Sequence, residues 1–379
     1  MDIDLIKQEF PLEDGLIYLN HAAVAPWPAR TRDAVRQFAE ENSRTGAQHY
    51  QCWLQKESAL RSQIQRLLNA PSSDDIALLK NTSEALSVVA AGLDWQAGDN
   101  VVISAEEFPS NRIPWQSLAR RGVELREVNI RGETPEQALQ DHCDDRTRLL
   151  SISSVQYGSG IRLDLQFFGQ FCHDRHILFC IDAIQSLGAI TMDVQALQAD
   201  FVMADAHKWL LGPEGIALFY SNPAARERLR IYQYGWHMVE NIDFNSREWQ
   251  IARSARRFEC GSPNMLGIYA LSASLTLLEE IGYQQVEKMV LNNSAYLIDK
   301  LEQINSVQLL TPTAESRHAG IINFTVAGKD LLQIQNNLLR SKVICVYRGG
   351  GLRFSPHFYI TENLLDKAVD ILNISICNT

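Results

Sequence analysis

A lysine in apolar surroundings is the first residue of this sequence that is suited to chemistry. Lys208 lies between the apolar runs 202–204 and 209–211. Such a lysine is either a surface-turn residue whose charged end reaches water, or a desolvated amine with a lowered pKa. A neutral amine can form a Schiff base with a carbonyl group. Lys208 alone leaves both interpretations open.

Two further segments supply groups that suit the same chemistry. Asp182 follows the apolar run 179–181, which predicts a strand, and open α/β sheets bind ligands at the carboxyl ends of their strands. A carboxylate there would keep the ring nitrogen of pyridoxal phosphate protonated, which makes the ring an electron sink. The alternative is a cap of the next helix. Thr82 and Ser83 begin a predicted helix, whose free amides suit either a phosphate or an ordinary cap.

The elements that would position these residues alternate along the chain. Short aliphatic runs alternate with amphipathic ones from about residue 75 to 220, which predicts a mostly parallel sheet covered by helices. The predicted strands are 76–79, 101–103, 149–153, 177–181, 201–203 and 216–220, and predicted helices begin near Ser83 and Ser110 and cover 165–172. Beyond about residue 262, helices at 266–281 and 284–304 precede strands at 321–326 and 343–347 and a helix from about 361.

We therefore predict an α/β fold of two domains. Residues 15–262 would form the large domain, and residues 263–379 a smaller C-terminal α/β domain on which residues 1–14 pack. The boundary is soft, because the segment between residues 226 and 258 contains aromatic clusters but no turn-rich linker.

Composition argues against several classes of function. The 379 residues contain 35 Lys and Arg against 45 Asp and Glu, a net charge of −10, so no nucleic-acid partner is expected. No apolar run is long enough to span a membrane, and the N-terminal residues do not read as a secretion signal, so a soluble, cytoplasmic protein is expected. The seven cysteines are scattered without a C-x-x-C pair, most are expected to be buried, and His173 and His176 are expected at the surface. No metal site is therefore predicted.

Taken in order, a set of short motifs resembles the class V aminotransferase family of fold type I pyridoxal phosphate enzymes, which includes cysteine desulfurases. The resemblance covers nearly the whole chain. The motifs are YLNHAA (18–23), NTSEA (81–85), EFPSN (107–111), PWQ (114–116), DAIQ (182–185), HK (207–208), RFECGSPN (257–264) and RFSPH (353–357). The resemblance implies a large domain with a mostly parallel sheet of seven-stranded type between helices, and pyridoxal 5′-phosphate as the cofactor.

The resemblance also implies a role for each matching residue. Lys208 would hold the cofactor as a Schiff base and move the Cα proton, and Asp182 would pair with the ring nitrogen. Arg353 would bind the carboxylate of an amino-acid substrate, with Asn20 and His21 as further substrate contacts. The other cofactor contacts would be Thr82, Ser83 and His207 at the phosphate, Ser262 at the phosphate from across a homodimer interface, Gln185 at the ring hydroxyl and Phe108, or its neighbour Pro109, at the ring face.

The sequence departs from the desulfurase pattern at two places. No cysteine lies between Arg348 and Arg353, where desulfurases carry their nucleophilic cysteine, and Cys345 reads as a strand residue that points into the core. Three glycines (349–351) would instead allow a close backbone approach to the substrate. Asp205 stands where the desulfurases have a hydroxyl that contacts the phosphate. We expect Asp205 to pair with a basic residue, with Arg256 or Arg257 of a partner subunit as candidates.

The resemblance leaves the reaction open. Removal of the Cα proton can lead to β-elimination, epimerisation or transamination. The stacking loop 107–110 and the cysteine-free segment before Arg353 favour a lyase that cleaves the C–S bond of a cysteine-like substrate. A transaminase, an epimerase, and a desulfurase that uses an outside thiol are the alternatives, together with a cofactor-free scaffold. Trp236 and His237 are equally candidates for the substrate pocket and for simple packing.

Overall fold

The computed structural model describes residues 3–379. Its α-helices, α1 to α12, are Ile3–Glu9, Ala29–Thr45, Tyr50–Leu68, Thr82–Gly92, Ile113–Gln116, Pro135–Asp141, Leu165–Arg175, Pro223–Arg226, Met265–Ile281, Tyr283–Glu302, Leu331–Arg340 and Glu362–Cys377. Its strands, β1 to β13, are Ile17–Tyr18, Ile76–Leu79, Asn100–Ser104, Glu124–Val128, Thr147–Ser153, Leu178–Asp182, Phe201–Asp205, Ala217–Ser221, Val307–Leu309, Ile322–Val326, Val343–Ile344, Val346–Arg348 and Gly351–Phe354.

A seven-stranded sheet in the order β2-β8-β7-β6-β5-β3-β4 forms the centre of the protein. The neighbours from β7 to β4 pair in parallel, whereas β8 runs antiparallel to both β2 and β7. Parallel strands place their carboxyl ends along one edge, and in the register of this sheet Ser153 lies opposite Asp182. The predicted α/β fold with a mostly parallel sheet is confirmed.

Both faces of this sheet are buried, which explains the continuous apolar runs of its strands. Successive residues of a strand point to opposite faces. On β3, Val101 and Ile103 pack in a core with Trp115, whereas Val102 packs in a second core with Phe168 of α7. Helices therefore cover the sheet on both sides and hold its carboxyl edge in place.

The C-terminal segment builds a second, antiparallel sheet in the order β12-β13-β10-β9. The predicted strand 343–347 is divided at Cys345: the part before it pairs with β1 and the part after it joins this sheet. Cys345 itself is buried, as the sequence predicted. The division arises because the chain passes from one sheet to another at this residue, a tertiary feature that an alternating pattern does not reveal.

The N-terminal segment contacts both parts of the protein. Phe10 stacks on Tyr359 with ring centroids 3.6 Å apart, while Glu9 accepts a hydrogen bond from Nε of Arg30 on α2 at 2.7 Å. Strand β1, which lies within the predicted large domain, pairs with β11 of the C-terminal segment. The division at residue 262 stays a prediction. Residues 1 and 2 lie outside the described part of the chain.

A helix that spans a membrane must be both long and apolar. In the described residues, no single helix meets both requirements. Helices α9 and α10 meet them only as a pair, and the pair is bent by 83°.

Candidate active site

Lys208 lies just beyond β7, at the carboxyl edge of the central sheet. Its side chain is buried, and the neighbouring Trp209 is completely enclosed. Burial lowers the pKa of Lys208 to about 8, an effect that Asp182 opposes and Arg353 reinforces. A lysine in this environment has a substantial neutral fraction near physiological pH and is therefore a nucleophile and a proton acceptor.

Asp182 is the last residue of β6, adjacent to β7, and only 1% of it is exposed. Its Oδ1 accepts a hydrogen bond from the amide of Ile184 at 3.0 Å. Burial raises the pKa of Asp182 to about 7, and Glu107 raises it further while Lys208 lowers it. No α-helix begins between residues 183 and 200. The structure therefore offers Asp182 no helix to cap, and its second oxygen remains available to a ligand.

An aromatic ring faces the lysine. The ring centroid of Phe108 lies 5.8 Å from Nζ of Lys208, and the ring meets Tyr157 edge to face at 5.1 Å. Phe108 is one-third exposed, so one side of its ring is free for contact. The ring of Phe108 therefore lies near Lys208, and the choice between Phe108 and Pro109 at the cofactor ring stays a prediction.

Arg353 is buried between two strands of the small sheet, opposite Asn323 of β10 and Val346 of β12. Its Nη1 donates a hydrogen bond to the carbonyl of Tyr157 at 2.7 Å, but Nε and Nη2 have no acceptor. Burial lowers the pKa of Arg353 to about 9, and Arg348 acts in the same direction. A buried guanidinium with two unused donors fits the two oxygens of a carboxylate.

Three of the predicted phosphate contacts, Thr82, Ser83 and His207, lie around the N-terminus of α4. Ser83 donates a hydrogen bond to Oγ of Ser110 at 2.7 Å, and Asn81 caps the helix by accepting from the amide of Glu84 at 2.8 Å. Nδ1 of His207 is buried without a hydrogen-bond partner, and burial lowers the pKa of His207 to about 4. This ring is therefore neutral and can donate a hydrogen bond.

Asp205 contacts this helix end. Its Oδ1 accepts hydrogen bonds from the backbone amide and, at 2.9 Å, from the hydroxyl of Thr82. The two arginines suggested as partners have other contacts within their own chain: Arg256 donates to the carbonyl of Val239 at 2.6 Å, and Arg257 forms an ion pair with Glu227 at 3.0 Å. Within the chain, Asp205 therefore binds Thr82 and neither arginine.

Gln185, Asn20 and His21 lie near one another, but their side chains differ in their hydrogen-bond partners. The amide of Gln185 donates to the carbonyl of Ala22 at 3.1 Å, and Oδ1 of Asn20 is buried without a partner. The buried ring of His21 has both nitrogens bonded, to the carbonyl of Ser355 at 2.8 Å and the hydroxyl of Tyr359 at 2.6 Å. Both residues stay predicted substrate contacts, and Asn20 is the one of the two with a free polar atom among the described residues.

Of the glycines before Arg353, Gly349 lies close to the backbone of Gly158, and the predicted approach of these glycines to the substrate stays a prediction. Gly349 has φ +66°, and a Cβ added to it would lie 2.7 Å from Cα of Gly158. Gly158 follows Tyr157, whose carbonyl holds Arg353. The glycine-rich turn thereby packs against the segment whose carbonyl accepts the hydrogen bond from Arg353.

Two functional candidates escaped the sequence analysis. Glu107, next to Phe108, is buried and accepts hydrogen bonds from the amide of Ser153 at 2.7 Å and from Gln156 at 3.1 Å. Burial raises the pKa of Glu107. Arg348 lies close enough to lower the pKa of Lys208. The position of Glu107 directly after β3, in the motif that includes Phe108, was the available signal for the first of them.

Ser262 and its neighbours lie apart from Lys208. Ser262 lines a surface cavity of about 1160 Å³ together with Trp236 and Phe244. His237, beside Trp236, is buried within a cluster of charged residues, and its Nδ1 lies 3.4 Å from Oε2 of Glu259. Burial lowers the pKa of His237.

That cluster has the ligand types of a metal site but already contains a cation. Glu57, His237 and Glu259 bring one potential ligand atom each to within 4.8 Å of one another. The guanidinium of Arg61 donates to Glu259 at 2.6 Å and to Glu57 at 2.5 Å. Arg61 therefore neutralises the two carboxylates, and we assign the cluster to structure. His173 and His176 are exposed, as predicted.

The buried polar atoms without partners test whether these residues fit a cofactor and its substrate. Among the described residues, these atoms include Nδ1 of His207, a predicted phosphate contact, and Oδ1 of Asn20 and two nitrogens of Arg353, which are predicted substrate contacts. The same region contains an amine from Lys208, a carboxylate from Asp182 and a ring face from Phe108. This donor set fits pyridoxal phosphate bound to an amino acid, and it defines a pyridoxal phosphate site of an α/β enzyme.

Sequence comparison identifies the family. The aminotransferase class V family matches residues 17–363, so the chain belongs to that family, whose cofactor is pyridoxal phosphate. The chain is 29% identical to a probable cysteine desulfurase of Methanothermobacter thermautotrophicus over 94% of both sequences. It is 28% identical to a probable cysteine desulfurase of Streptomyces coelicolor, over 98% of this chain and 96% of the relative.

Solved structures share the fold. A cysteine desulfurase from Escherichia coli superimposes with a TM-score of 0.89 at 23% identity, over 100% of this chain and 99% of that one. A cystine C–S lyase, solved with its reaction product cysteine persulfide, gives a TM-score of 0.89 at 22% identity, over 96% and 98% of the two chains. These likenesses confirm the fold type predicted from the sequence.

Proposed function

We propose that this protein cleaves the C–S bond of cysteine or a cysteine-like amino acid by β-elimination, with pyridoxal phosphate as cofactor. The observation that carries the choice of elimination is the state of Cys345, the cysteine nearest to Arg353 in the sequence. Its thiol is buried, and burial raises its pKa to about 12. A thiol in that state is a poor nucleophile and cannot readily accept sulfur from a substrate.

The chain's own residues provide the steps of such a reaction. The cofactor supplies an aldehyde for the substrate amine and a ring that withdraws electrons from Cα. Asp182 keeps the ring nitrogen protonated, and Arg353 holds the substrate carboxylate through Nε and Nη2. Nζ of Lys208 takes the Cα proton and returns a proton to the departing sulfur. Cysteine and water then yield pyruvate, ammonia and hydrogen sulfide.

Product analysis tests this proposal. Purified, cofactor-loaded protein is given L-cysteine, L-cystine or L-alanine, and pyruvate, ammonia, sulfide and alanine are quantified. We expect equal amounts of pyruvate and ammonia from cysteine or cystine. Formation of alanine with sulfur transfer to an added thiol would identify a desulfurase instead, and conversion of the cofactor to its pyridoxamine form without pyruvate would identify a transaminase.

A cysteine variant serves as the matched control for that assay. Because the thiol of Cys345 is buried and its pKa is raised, we expect no chemical role for it, and Cys345→Ala should keep the rate of pyruvate formation within about twofold of the parent protein. A loss of sulfur release in Cys345→Ala, with folding and cofactor content unchanged, would contradict elimination and assign the sulfur acceptor to this residue.

We also propose a homodimer whose subunits share active sites. The support is an exposed apolar patch in residues 232–251, in which Phe244 is 80%, Tyr234 62% and Trp249 56% exposed. Patches of this kind mark interfaces. Ser262 lines the same cavity as Trp236 and Phe244 of this patch, so a second copy docked there would lie close to Ser262.

Charge placed in the patch should weaken the dimer. Phe244→Asp is expected to raise the monomer fraction in sedimentation equilibrium and to reduce cofactor retention, because each site would lose its contact from the partner. Ile374→Asp is the control, since Ile374 is 61% exposed on α12, outside the patch. A parent protein that stays a cofactor-loaded monomer of 42.8 kDa would exclude the shared site.

The cytoplasm remains the proposed location. All seven cysteines are free thiols, with Cys143, Cys172, Cys180 and Cys345 buried. Unpaired thiols are typical of proteins in a reducing compartment.

A further inference from the structure

At the phosphate end of the site, the carboxylate of Asp205 accepts from hydrogen-bond donors that a bound phosphate would also use. Oδ1 of Asp205 accepts from both the amide and the hydroxyl of Thr82, the first residue of α4. Those are the donors that an anion bound at this helix terminus would use. Oδ2 of Asp205 lies 3.5 Å from Nδ1 of His207, another of the proposed phosphate contacts. A bound phosphate must therefore lie against Asp205.

The charges around Asp205 do little to offset the repulsion between its carboxylate and a bound phosphate. Lys208 stabilises the carboxylate, whereas Glu214 and Asp182 repel it. His207 is neutral at physiological pH, and on the facing helix α4 Glu84 is paired with Lys80 at 3.6 Å. Burial already raises the pKa of Asp205 above its usual range. A phosphate dianion beside the ionised carboxylate would be strongly unfavourable.

We propose that Asp205 becomes protonated when the phosphate group of the cofactor binds, so that binding takes up one proton at this side chain. One carboxyl oxygen continues to accept from Thr82, while the new O–H on the other donates to a phosphate oxygen. This inference rests on the family's cofactor but not on the reaction that the enzyme catalyses. Asp205 is thus a positioning residue that couples cofactor affinity to pH.

The sign of the pH dependence follows from linkage. A carboxyl group that binds a proton more tightly in the loaded state favours loading at low pH, and this advantage is lost as pH rises. Between the pKa of Asp205 in the free protein and its higher pKa in the loaded protein, affinity falls about tenfold per pH unit for one proton. The phosphate is already a dianion above about pH 7, so it adds no opposing slope there.

An unreactive pair of cofactor analogues isolates this effect. Cofactor-free protein is titrated with 4′-deoxypyridoxine 5′-phosphate and with 4′-deoxypyridoxine, neither of which forms a Schiff base, from about pH 7 to 9. The ratio of their dissociation constants removes every pH effect that belongs to the ring. We expect the phosphate's advantage to fall by up to about tenfold per pH unit in the parent protein.

Substitutions decide whether Asp205 is the responsible group. Asp205→Asn and Asp205→Ser should make the ratio independent of pH, and titration calorimetry in buffers of different ionisation enthalpy should show that the parent's uptake of one proton is lost. Asp200→Asn, which alters a half-buried aspartate just before β7 whose pKa burial raises to about 6, should retain both effects. A pH-independent ratio in the parent, or an unchanged slope in both Asp205 variants, would overturn the proposal. Failure of the elimination reaction alone would leave these measurements unaffected.

Discussion

Replacement of Lys208 by alanine is expected to reduce turnover of a cysteine substrate by about 10⁴-fold, with the visible absorption of the Schiff base also lost. The reason is that one side chain holds the cofactor covalently and transfers the Cα proton. Its pKa, lowered to about 8 by burial, suits both tasks near neutral pH. Pyruvate formation and absorption spectra measure the two effects separately.

A control variant and a chemical rescue distinguish loss of proton transfer in Lys208→Ala from loss of folding. Lys80→Ala removes an exposed lysine and should leave turnover unchanged. A small amine such as ethylamine, added at high concentration, should restore part of the proton transfer in Lys208→Ala, because the substituted side chain leaves room for it. Turnover in Lys208→Ala within tenfold of the parent would show that another group moves the proton.

The sequence predicted the surroundings of Lys208 because the site residues lie at the ends of strands that local apolar patterns predict. Strands β6 and β7 are short apolar runs that end at Asp182 and Asp205, and parallel strands bring their carboxyl ends to one edge of the sheet. Periodicity therefore predicts both the sheet and the neighbourhood of Asp182 and Lys208. The roles of Arg353 and Phe108 came from family motifs, and the structure adds the distance from Phe108 to the lysine and the effect of Arg353 on its pKa.

The contacts that the sequence did not predict depend on tertiary geometry. Cys345 divides an apparently continuous strand because its two halves pair in different sheets, and pairing partners are not encoded in local alternation. His21 belongs to a matching motif, yet its ring is bonded to groups distant in sequence. The bond from Thr82 to Asp205 likewise joins two elements that no spacing relates. Such contacts require the packed structure.

Arg353→Met is the second substitution with a large expected effect, and it should lower kcat/KM by about 10³-fold, chiefly through KM. Removal of one partner of a buried, hydrogen-bonded charge pair costs about 2–5 kcal/mol of binding energy. Steady-state kinetics with cysteine measure this loss. Arg348→Met should have a smaller effect, about tenfold or less, because the exposed Arg348 lies over the Tyr157 ring and is not enclosed with the substrate carboxylate.

The stability of the same variant distinguishes substrate binding from a structural role. Arg353 is buried with Nε and Nη2 unpaired, so its charge costs folding free energy that a substrate carboxylate would compensate. A buried ion without a charged partner has lost its hydration without compensation, so an apolar side chain of similar volume removes that cost from the folded state. Arg353→Met should therefore unfold at the same temperature as the parent or higher, while its affinity for the substrate falls. A lower melting temperature with unchanged KM would show instead that the guanidinium holds Tyr157 and the glycine turn in place.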